Sequence, residues 1–200
     1  MRVIAIVPAA GSAERFGGKK LLTPIDGTPL LDRTIASLLD GGVGRIIVVV
    51  GPDADALTRD VNAFSDPRVW PVVNPDPVRG MFSSLQAGMA EAEGDALVVL
   101  PADMPFVAGA TVATLLNTFA SRPAIVSPRY RGKRGHPVIL PPGLRDEIRS
   151  ADPTTNLHEI LKRHPDARVD VDVDDRGVVR DVDVPTDLVE YGRVPNDLTT

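Results

Sequence analysis

The chain has 200 residues, of which 43% are hydrophobic and 4% aromatic, and its formal net charge is −5. This length and apolar content can bury a core and are expected to form one domain. The negative charge argues against a general nucleic-acid-binding protein, which usually carries a basic face. No segment approaches the run of about 18 apolar residues that a membrane span requires. The sequence contains no cysteine, which excludes disulfides and thiolate metal sites and is consistent with a cytoplasmic location.

Short apolar runs alternate with segments of helical spacing through the first two thirds of the chain. The predicted elements, in chain order, are a strand at 3–7, a helix at 29–40, a strand at 45–50, a helix at 53–64, a strand at 69–73, a helix at 81–93, a strand at 96–100, a helix at 111–120 and a strand from 124. Strands that are apolar without alternation are typical of parallel sheets buried on both faces. The pattern therefore predicts a Rossmann-like α/β domain, with a mainly parallel sheet and helices on both faces.

The pattern changes after residue 128. A basic loop, a short strand at 138–140 and two short helices come first. Val and Asp then alternate from Arg168 to Val184, which predicts a half-exposed C-terminal β-hairpin that turns at Asp174 to Gly177. Residues 192–200 lack apolar periodicity and are predicted to be a loose tail beyond a domain at 1–191.

The loop after the first strand, in the stretch VPAAGSAERFGGKKLL (residues 7–22), has the composition of a phosphate-binding loop. It lacks the second glycine that the dinucleotide fingerprint G-x-G-x-x-G requires after Gly11. It also fails the P-loop pattern, because Phe16 occupies the second glycine position and no Ser or Thr follows Lys20. Two interpretations remain open. The backbone N–H groups of residues 9–12 line a phosphate site that Arg15 and Lys20 also reach, or the loop is an ordinary turn with solvated basic residues.

Three further stretches carry candidate functional side chains. Asp103, in LPADMP, follows the fourth predicted strand at the carboxyl edge of the sheet, where ligands bind in open α/β folds. Asp183, in DVDVPTD, ends the Val/Asp alternation. Turn chemistry and simple solvent exposure are the alternative explanations for these two carboxylates. The third stretch, RYRGKRGHPVIL, is a charge run that would ordinarily be solvated, but it ends in a rigid Gly-His-Pro turn; its basic residues are Arg129, Arg131, Lys133 and Arg134.

Five stretches together resemble the molybdopterin nucleotidyltransferase family (the MocA/MobA-like group). They are PAAGSAERFGGKKLL, NPDPVRGMFSSLQAG, PADMP, RGHPV and DVDVPTD, and they occur in the family's order between residue 3 and about residue 191. The sequence departs from the family at Pro8, where Leu or Thr is frequent, and at Ala102, where many members have Gly. Neither departure removes a charged group. The resemblance implies that the Rossmann-like domain is a nucleotidyltransferase domain.

The resemblance also implies roles for individual residues. Asp103 and Asp183 would be ligands of Mg²⁺, and Arg15 and Lys20 would contact the triphosphate. The catalytic residues would be Lys20, Arg15 and Asp103. The nucleotide-binding residues would be Ala9, Ala10, Gly11, Arg15, Lys20, Asn74, Gly80, Met81, Ser84 and Asp103.

The second substrate implied by the resemblance is the pterin phosphate, molybdopterin. It would face Arg134, Gly135, His136 and Pro137. Since an unperturbed histidine titrates near pH 6.5, His136 is expected to bind an anionic acceptor more strongly as the pH falls.

The triplet Ala9-Ala10-Gly11 resembles the cytidylyltransferase branch of the family, because the guanylyltransferase branch usually reads Ala-Gly-Gly. A methyl group at Ala10 leaves less room for a purine, which favours CTP over GTP. The implied reaction is transfer of CMP from CTP to the phosphate of molybdopterin. Two alternatives stay open: a cytidylyltransferase for another small phosphate, such as a sugar or polyol phosphate, and a non-catalytic nucleotide- or cofactor-binding module that loads a molybdoenzyme.

Overall fold

The structure is a computed structural model that describes residues 1–11, 20–52, 54–184 and 186–187. Its strands are β1 (Val3–Pro8), β2 (Pro24–Ile25), β3 (Thr28–Pro29), β4 (Arg45–Val50), β5 (Val69–Val73), β6 (Ala96–Val99), β7 (Ile125–Tyr130), β8 (Lys133–Arg134), β9 (Val138–Leu140) and β10 (Arg168–Asp172). Its α-helices are α1 (Leu30–Asp40), α2 (Asp55–Asp60), α3 (Met81–Glu91), α4 (Gly109–Ser121), α5 (Arg145–Ser150) and α6 (Leu157–Lys162).

Eight of the strands form one mostly parallel sheet in the order β10-β7-β9-β6-β1-β4-β5, with β8 paired to β7. Strand β1 is parallel to β4 and β6, and β7 is parallel to β10. Strand β9 is antiparallel to both of its neighbours, β6 and β7. The predicted Rossmann-like α/β fold is confirmed.

Helices cover both faces of this sheet. On one face, Ile35 of α1 and Leu115 of α4 belong to a buried cluster with alternate side chains of the central strands. On the other face, Met89 of α3 and Ile148 of α5 belong to a second buried cluster. Because both faces are covered, the central strands must be apolar at every position, as the sequence of β1 is.

The predicted helix at 53–64 is wrong in its second half. Helix α2 ends at Asp60, and a short 3₁₀-helix, Asn62–Ser65, follows. The carboxylate of Asp32 on α1 accepts hydrogen bonds from the backbone N–H groups of Asn62 and Ala63, at 3.2 and 2.7 Å. This contact satisfies the N–H groups that begin the 3₁₀-helix, and thereby favours a new helical start over continuation of α2.

The predicted C-terminal hairpin is also wrong. Strand β10 forms, but it pairs in parallel with β7 rather than with the chain that follows it. The next segment contains a 3₁₀-helix, Arg176–Val179, and the buried side chains of Val178 and Val182. We call residues 175–183 the strap, because they lie against the loops at the carboxyl edge of the sheet. Burial of these two valines holds the segment across the domain and leaves it no partner strand.

The carboxyl ends of β1, β4, β6 and β7 meet at one edge of the sheet. Strand β9 runs in the opposite direction, so the loop that precedes it lies at the same edge. Polar loops from distant parts of the chain therefore converge there. Within the described part of the chain, no helix combines the length and apolar character needed to cross a membrane.

Candidate active site

Backbone hydrogen bonds join the loops that follow β1 and β6. The N–H of Ala102 donates to the carbonyl of Pro8 at 3.2 Å, and the N–H of Ala9 donates to the carbonyl of Val49 at 2.7 Å. The hydroxyl of Thr34 on α1 donates to the carbonyl of Ala102 at 2.9 Å. These bonds place Asp103 beside the small-residue loop, as the sequence predicts for two adjacent parallel strands.

Lys20 joins the two predicted metal ligands. Its Nζ lies 2.8 Å from Oδ2 of Asp103 and 3.4 Å from Oδ1 of Asp183. The Lys20 side chain is 14% exposed, the Asp103 side chain 25% and the Asp183 side chain 60%. Two carboxylates separated by 80 residues therefore face one cationic centre.

The strap brings Asp183 to this position. The N–H of Val182 donates to the backbone carbonyl of Asp103 at 2.9 Å. The Val182 side chain is buried with Ile25 and Leu30. Beyond it, the carboxylate of Asp187 accepts from the N–H of Asp183 at 2.7 Å. The backbone at Asp183 is thus held next to Asp103 by hydrogen bonds on both sides of the residue.

This pair of side chains fits a magnesium ion. Mg²⁺ prefers oxygen ligands, and it commonly takes one or two protein carboxylates and completes its shell with water and substrate phosphates. Asp103 and Asp183 reach a common cation, the Lys20 ammonium, so they could reach a common metal ion. Among the described residues, no group of three or more His, Cys, Asp or Glu is arranged to hold a metal. The donor set thus suits a metal that arrives with phosphate oxygens.

The segment predicted to surround the nucleotide divides into a buried and an exposed part. Asn74 is 3% exposed, and its Nδ2 donates to the hydroxyls of Ser83 and Ser84 at 2.8 and 3.1 Å. Gly80 has a φ of 90°, which a residue with a side chain adopts only with strain, and Met81 is 63% exposed. Asn74 and Ser84 therefore stabilise the loop from inside, while Gly80 and Met81 are available to a ligand. Nucleotide contacts for all four stay a prediction.

The loop at 135–137 lies against the strap. The N–H of His136 donates to the carbonyl of Val178 at 2.7 Å, and the N–H of Gly135 donates to the carbonyl of Pro128 at 2.9 Å. A Cβ atom at Gly135 would overlap the Val178 carbonyl. The peptide bond between His136 and Pro137 is cis. Position 135 therefore requires glycine for a close approach between two backbones.

Burial lowers the pKa of the His136 imidazole to about 4, although the charge of Asp103 acts in the opposite direction. His136 is therefore neutral at physiological pH. The expected titration near pH 6.5 is therefore wrong, since desolvation disfavours the charged ring, whereas a contact between His136 and the acceptor stays a prediction.

The basic run is paired with the acidic residues of β10. Arg134 makes two hydrogen bonds with the carboxylate of Asp170, at 2.7 and 2.8 Å. Arg129 makes the same paired contact with Asp172, at 2.7 and 2.9 Å. Hydrogen bonding by Arg134 lowers the pKa of Asp170. Both arginines are therefore ion-paired within the domain, and a role for Arg134 in acceptor binding stays a prediction.

Asp175 has a structural role that the sequence does not predict. Its carboxylate accepts hydrogen bonds from Thr111 Oγ1 at 2.7 Å, from Ala108 N at 2.9 Å and from Gly177 N at 2.9 Å. Asp175 thus joins the strap to the first turn of α4, where a negative charge also interacts favourably with the helix dipole. The sequence Asp-x-Gly is consistent with the hydrogen bond to Gly177. No local sequence pattern predicts the hydrogen bond to Thr111, which is 64 residues away.

Arg15 lies outside the described residues, and so does most of the loop between Gly11 and Lys20. Its predicted contact with a triphosphate stays a prediction. Ala9, Ala10 and Gly11 lie at the end of β1, where the sequence places them.

A family model for the MobA-like NTP transferase domain matches residues 5–169. The chain belongs to this family. The family resemblance is thereby confirmed, with four of the five motifs inside the matched range and DVDVPTD, at 181–187, beyond it. The matched range runs from Ala5 in β1 to Val169 in β10, so it includes the Asp103 loop and the loop at 135–137 but not Asp183.

The full-length relatives of this MobA-like domain have different named functions. Nicotine blue oxidoreductase of Paenarthrobacter nicotinovorans is 31% identical, over 90% of this chain and 92% of that protein. Molybdenum cofactor guanylyltransferase of Rhodopseudomonas palustris is 29% identical, over 93% and 89%. Molybdenum cofactor cytidylyltransferase of Escherichia coli is 25% identical, over 92% of each chain.

The fold has solved counterparts. A crystal structure of Rv0371c from Mycobacterium tuberculosis in complex with manganese has a TM-score of 0.73 at 23% identity, over 95% of this chain and 97% of that one. This likeness shows that the two chains share the same fold.

Proposed function

We propose that this protein is a metal-dependent nucleotidyltransferase that transfers CMP from CTP to the phosphate of molybdopterin and releases pyrophosphate. The observation that carries the proposal is the convergence of Asp103 and Asp183 on one cationic centre at the carboxyl edge of the sheet. Membership of the MobA-like NTP transferase family supports it. The 25% identical relative named molybdenum cofactor cytidylyltransferase also supports it.

The reaction needs no nucleophilic side chain. An oxygen of the acceptor's phosphate forms a bond to the α-phosphorus of CTP, and the bond from that phosphorus to the bridging oxygen of pyrophosphate breaks. Both reactants are anions, so the main barrier is charge repulsion and alignment. Asp103 and Asp183 would hold Mg²⁺, which supplies charge neutralisation on the phosphate oxygens. Lys20 would contact the non-reacting oxygens of the triphosphate, and we assign the same role to Arg15.

The acceptor is assigned to the loop that contains Gly135 and His136. This loop and Asp103 are both hydrogen-bonded to the strap, through Val178 and Val182 respectively. A neutral imidazole can donate one hydrogen bond and accept another without holding a counter-charge. His136 would therefore orient the acceptor instead of attracting it electrostatically.

The choice of CTP rests on Ala10. The relatives with molybdenum cofactor names include both a cytidylyltransferase and a guanylyltransferase, so the names support either base. The methyl group of Ala10 would reduce the room for a purine next to the loop.

A molybdoenzyme client and a cytoplasmic location remain parts of the proposal, as does the domain boundary near residue 191.

A second candidate is a redox enzyme. The relative named nicotine blue oxidoreductase is 31% identical over 90% of this chain, which favours this alternative. Against it, the loop after β1 lacks the glycine pattern with which dinucleotide cofactors are usually bound. The two converging carboxylates are also better suited to a cation than to a nicotinamide ring.

One assay separates these candidates. Purified protein with Mg²⁺ is given CTP, GTP, ATP or UTP in turn, with molybdopterin or a set of sugar and polyol phosphates, and pyrophosphate release is measured. We expect release with CTP and molybdopterin. Release only with a sugar or polyol phosphate would replace the acceptor, and release with none would remove the transferase proposal. A parallel sample with NADH or NADPH and a redox dye, followed by loss of nicotinamide absorbance, tests the redox alternative.

A further inference from the structure

Lys20 has a fixed backbone and a long side chain directed at the metal carboxylates. It begins a short 3₁₀-helix, Lys20–Leu22, whose carbonyl at Lys20 accepts from the N–H of Thr23 at 3.1 Å. Leu21 and Leu22 pack against the buried core. The backbone is thus anchored on the sheet, while the four-carbon side chain keeps rotational freedom to move its ammonium group.

The ammonium group occupies carboxylate oxygens that a divalent cation would also use. Nζ lies 2.8 Å from Oδ2 of Asp103 and 3.4 Å from Oδ1 of Asp183. A magnesium ion on those oxygens would lie about 2.1 Å from each. Two cations so close together would repel each other, so the carboxylates can hold one of them at a time.

The charges make this competition effective. One ammonium offsets one of the two carboxylate charges, so Asp103 and Asp183 already have a counter-ion when no nucleotide is bound. A cation that binds alone must displace Lys20, whose side chain is 14% exposed, from both partners. A triphosphate beside the loop offers the ammonium a new anionic partner within reach of the same side chain.

We infer that Lys20 links the binding of the divalent cation to the binding of the nucleoside triphosphate. Without nucleotide, Lys20 is the counter-ion of Asp103 and Asp183 and weakens cation binding. With nucleotide, its ammonium moves to the triphosphate and leaves both carboxylates to the metal. The identity of the nucleotide in this inference rests on the proposed function. The competition between Lys20 and the cation for the carboxylates does not.

Linkage requires the effect to be reciprocal. If CTP raises the affinity for the cation by some factor, the cation raises the affinity for CTP by the same factor. The size of that factor depends on how much the affinity for each ligand differs between two forms of the protein. In one form the Lys20 ammonium lies on the carboxylates, and in the other it lies on the triphosphate. Removal of the ammonium should therefore strengthen cation binding in the free protein, whereas it should weaken nucleotide binding.

The test measures Mn²⁺ affinity directly, by the electron paramagnetic resonance signal of free Mn²⁺. Wild type, Lys20→Gln and Lys20→Arg are titrated with Mn²⁺ alone and again with a non-hydrolysable CTP analogue. We expect Lys20→Gln to bind Mn²⁺ alone at least tenfold more tightly than wild type. Lys20→Arg, which keeps the charge, should stay near wild type. The analogue should raise the Mn²⁺ affinity of wild type strongly and that of Lys20→Gln far less.

A matched control accounts for the change in net charge. Lys162 lies on α6 and pairs with Glu159 at 2.8 Å, so Lys162→Gln removes the same charge elsewhere. It should leave Mn²⁺ affinity unchanged. Circular dichroism at the titration temperature verifies that each variant is folded.

The outcomes separate this inference from the proposed function. Equal or weaker Mn²⁺ binding by folded Lys20→Gln overturns the inference, whatever the wild-type enzyme does. Tighter Mn²⁺ binding by Lys20→Gln, together with no pyrophosphate release by wild type from any nucleotide, sustains the competition and overturns the transferase proposal instead.

Discussion

Gly135 lies directly against the backbone carbonyl of Val178, so that a Cβ atom at position 135 would overlap it. The loop assigned to the acceptor and the strap that carries Asp183 are therefore packed backbone to backbone. Gly135→Ala should push the two apart and destabilise the fold by about 1–3 kcal/mol, as overpacking typically does. Urea unfolding gives the size of this loss.

Acceptor KM should rise in Gly135→Ala, and kcat should fall as well, because the strap that is displaced also carries Asp183. The matched control is Gly143→Ala, because a Cβ at Gly143 meets no atom within 4 Å. Wild-type stability and KM in Gly135→Ala would contradict the close packing.

Asp103→Asn and Asp183→Asn should each lower kcat/KM by about 10²–10³, the usual loss for one electrostatic contact in a transition state. The amide keeps the size of the side chain but removes the negative charge that a cation requires. Pyrophosphate release at saturating Mg²⁺ measures the effect, and thermal unfolding verifies the fold. Full turnover by either variant would remove that residue from the metal site.

Asp175→Ala removes the acceptor of three hydrogen bonds between the strap and the start of α4. Hydrogen bonds to charged groups contribute about 1.5–3 kcal/mol each at most, and partial exposure reduces this, so we expect a total loss of about 2 kcal/mol. Turnover should fall as well, because the strap positions Asp183.

The neighbouring Asp174 provides the control for Asp175. It is exposed and carries the same charge, so Asp174→Ala should change neither stability nor turnover. If both variants behave alike in urea unfolding and in the pyrophosphate assay, Asp175 has no special positioning role.

His136 should make the protein less stable in mild acid. Its pKa is about 4 in the folded chain and near 6.5 in an unfolded one, so only the unfolded chain takes up a proton between these values. This contribution to stability is complete above pH 6.5 and is lost as the pH falls towards 4, with about 1–2 kcal/mol lost by pH 5.

Urea unfolding at pH 7 and pH 5 measures the effect of His136, and His136→Gln should show a smaller difference between the two. Acceptor KM should not change through protonation of His136 between pH 6 and pH 8. A wild-type pH difference that His136→Gln retains in full would assign the effect to other groups.

Ala10→Gly should shift the preference of the enzyme from CTP towards GTP, since it removes the methyl group to which we attribute the exclusion of purines. The ratio of kcat/KM for the two nucleotides is the relevant measurement. An unchanged ratio in a variant that still uses CTP would place the base selectivity elsewhere in the site.

The sequence predicts the central strands well, because burial on both faces demands unbroken apolar runs. The runs at Val3–Pro8 and Arg45–Val50 appear as strands in the structure. The alternation from residue 168 was misleading for a physical reason. It indicates that one face is polar, but it does not indicate which strand lies alongside. The polar face of β10 pairs with Arg129 of β7 and Arg134 of β8.

In the site too, features set by the local sequence could be predicted, whereas contacts between distant segments could not. Asp103 could be predicted because it follows a buried strand at the edge where ligands bind. The contact of Lys20 with both carboxylates could not, since it depends on how the strap crosses the domain. The pKa of His136 differs from the expected value near 6.5 because the ring is desolvated, and a Gly-His-Pro motif does not indicate desolvation.

Two contiguous stretches of chain build the two sides of the site, because the strand order keeps β6, β1, β4 and β5 on one side of the sheet and β10, β7 and β9 on the other. Residues 1–103 form β1, β4, β5 and β6, whereas residues 125–183 form β7 to β10 and the strap. The bond that joins them at the carboxylates, from Val182 N to Asp103 O, connects backbone atoms and does not depend on side-chain identity. A chimaera with a single crossover inside α4 would exchange one side whole, so new acceptors could be recruited by recombination instead of residue-by-residue change.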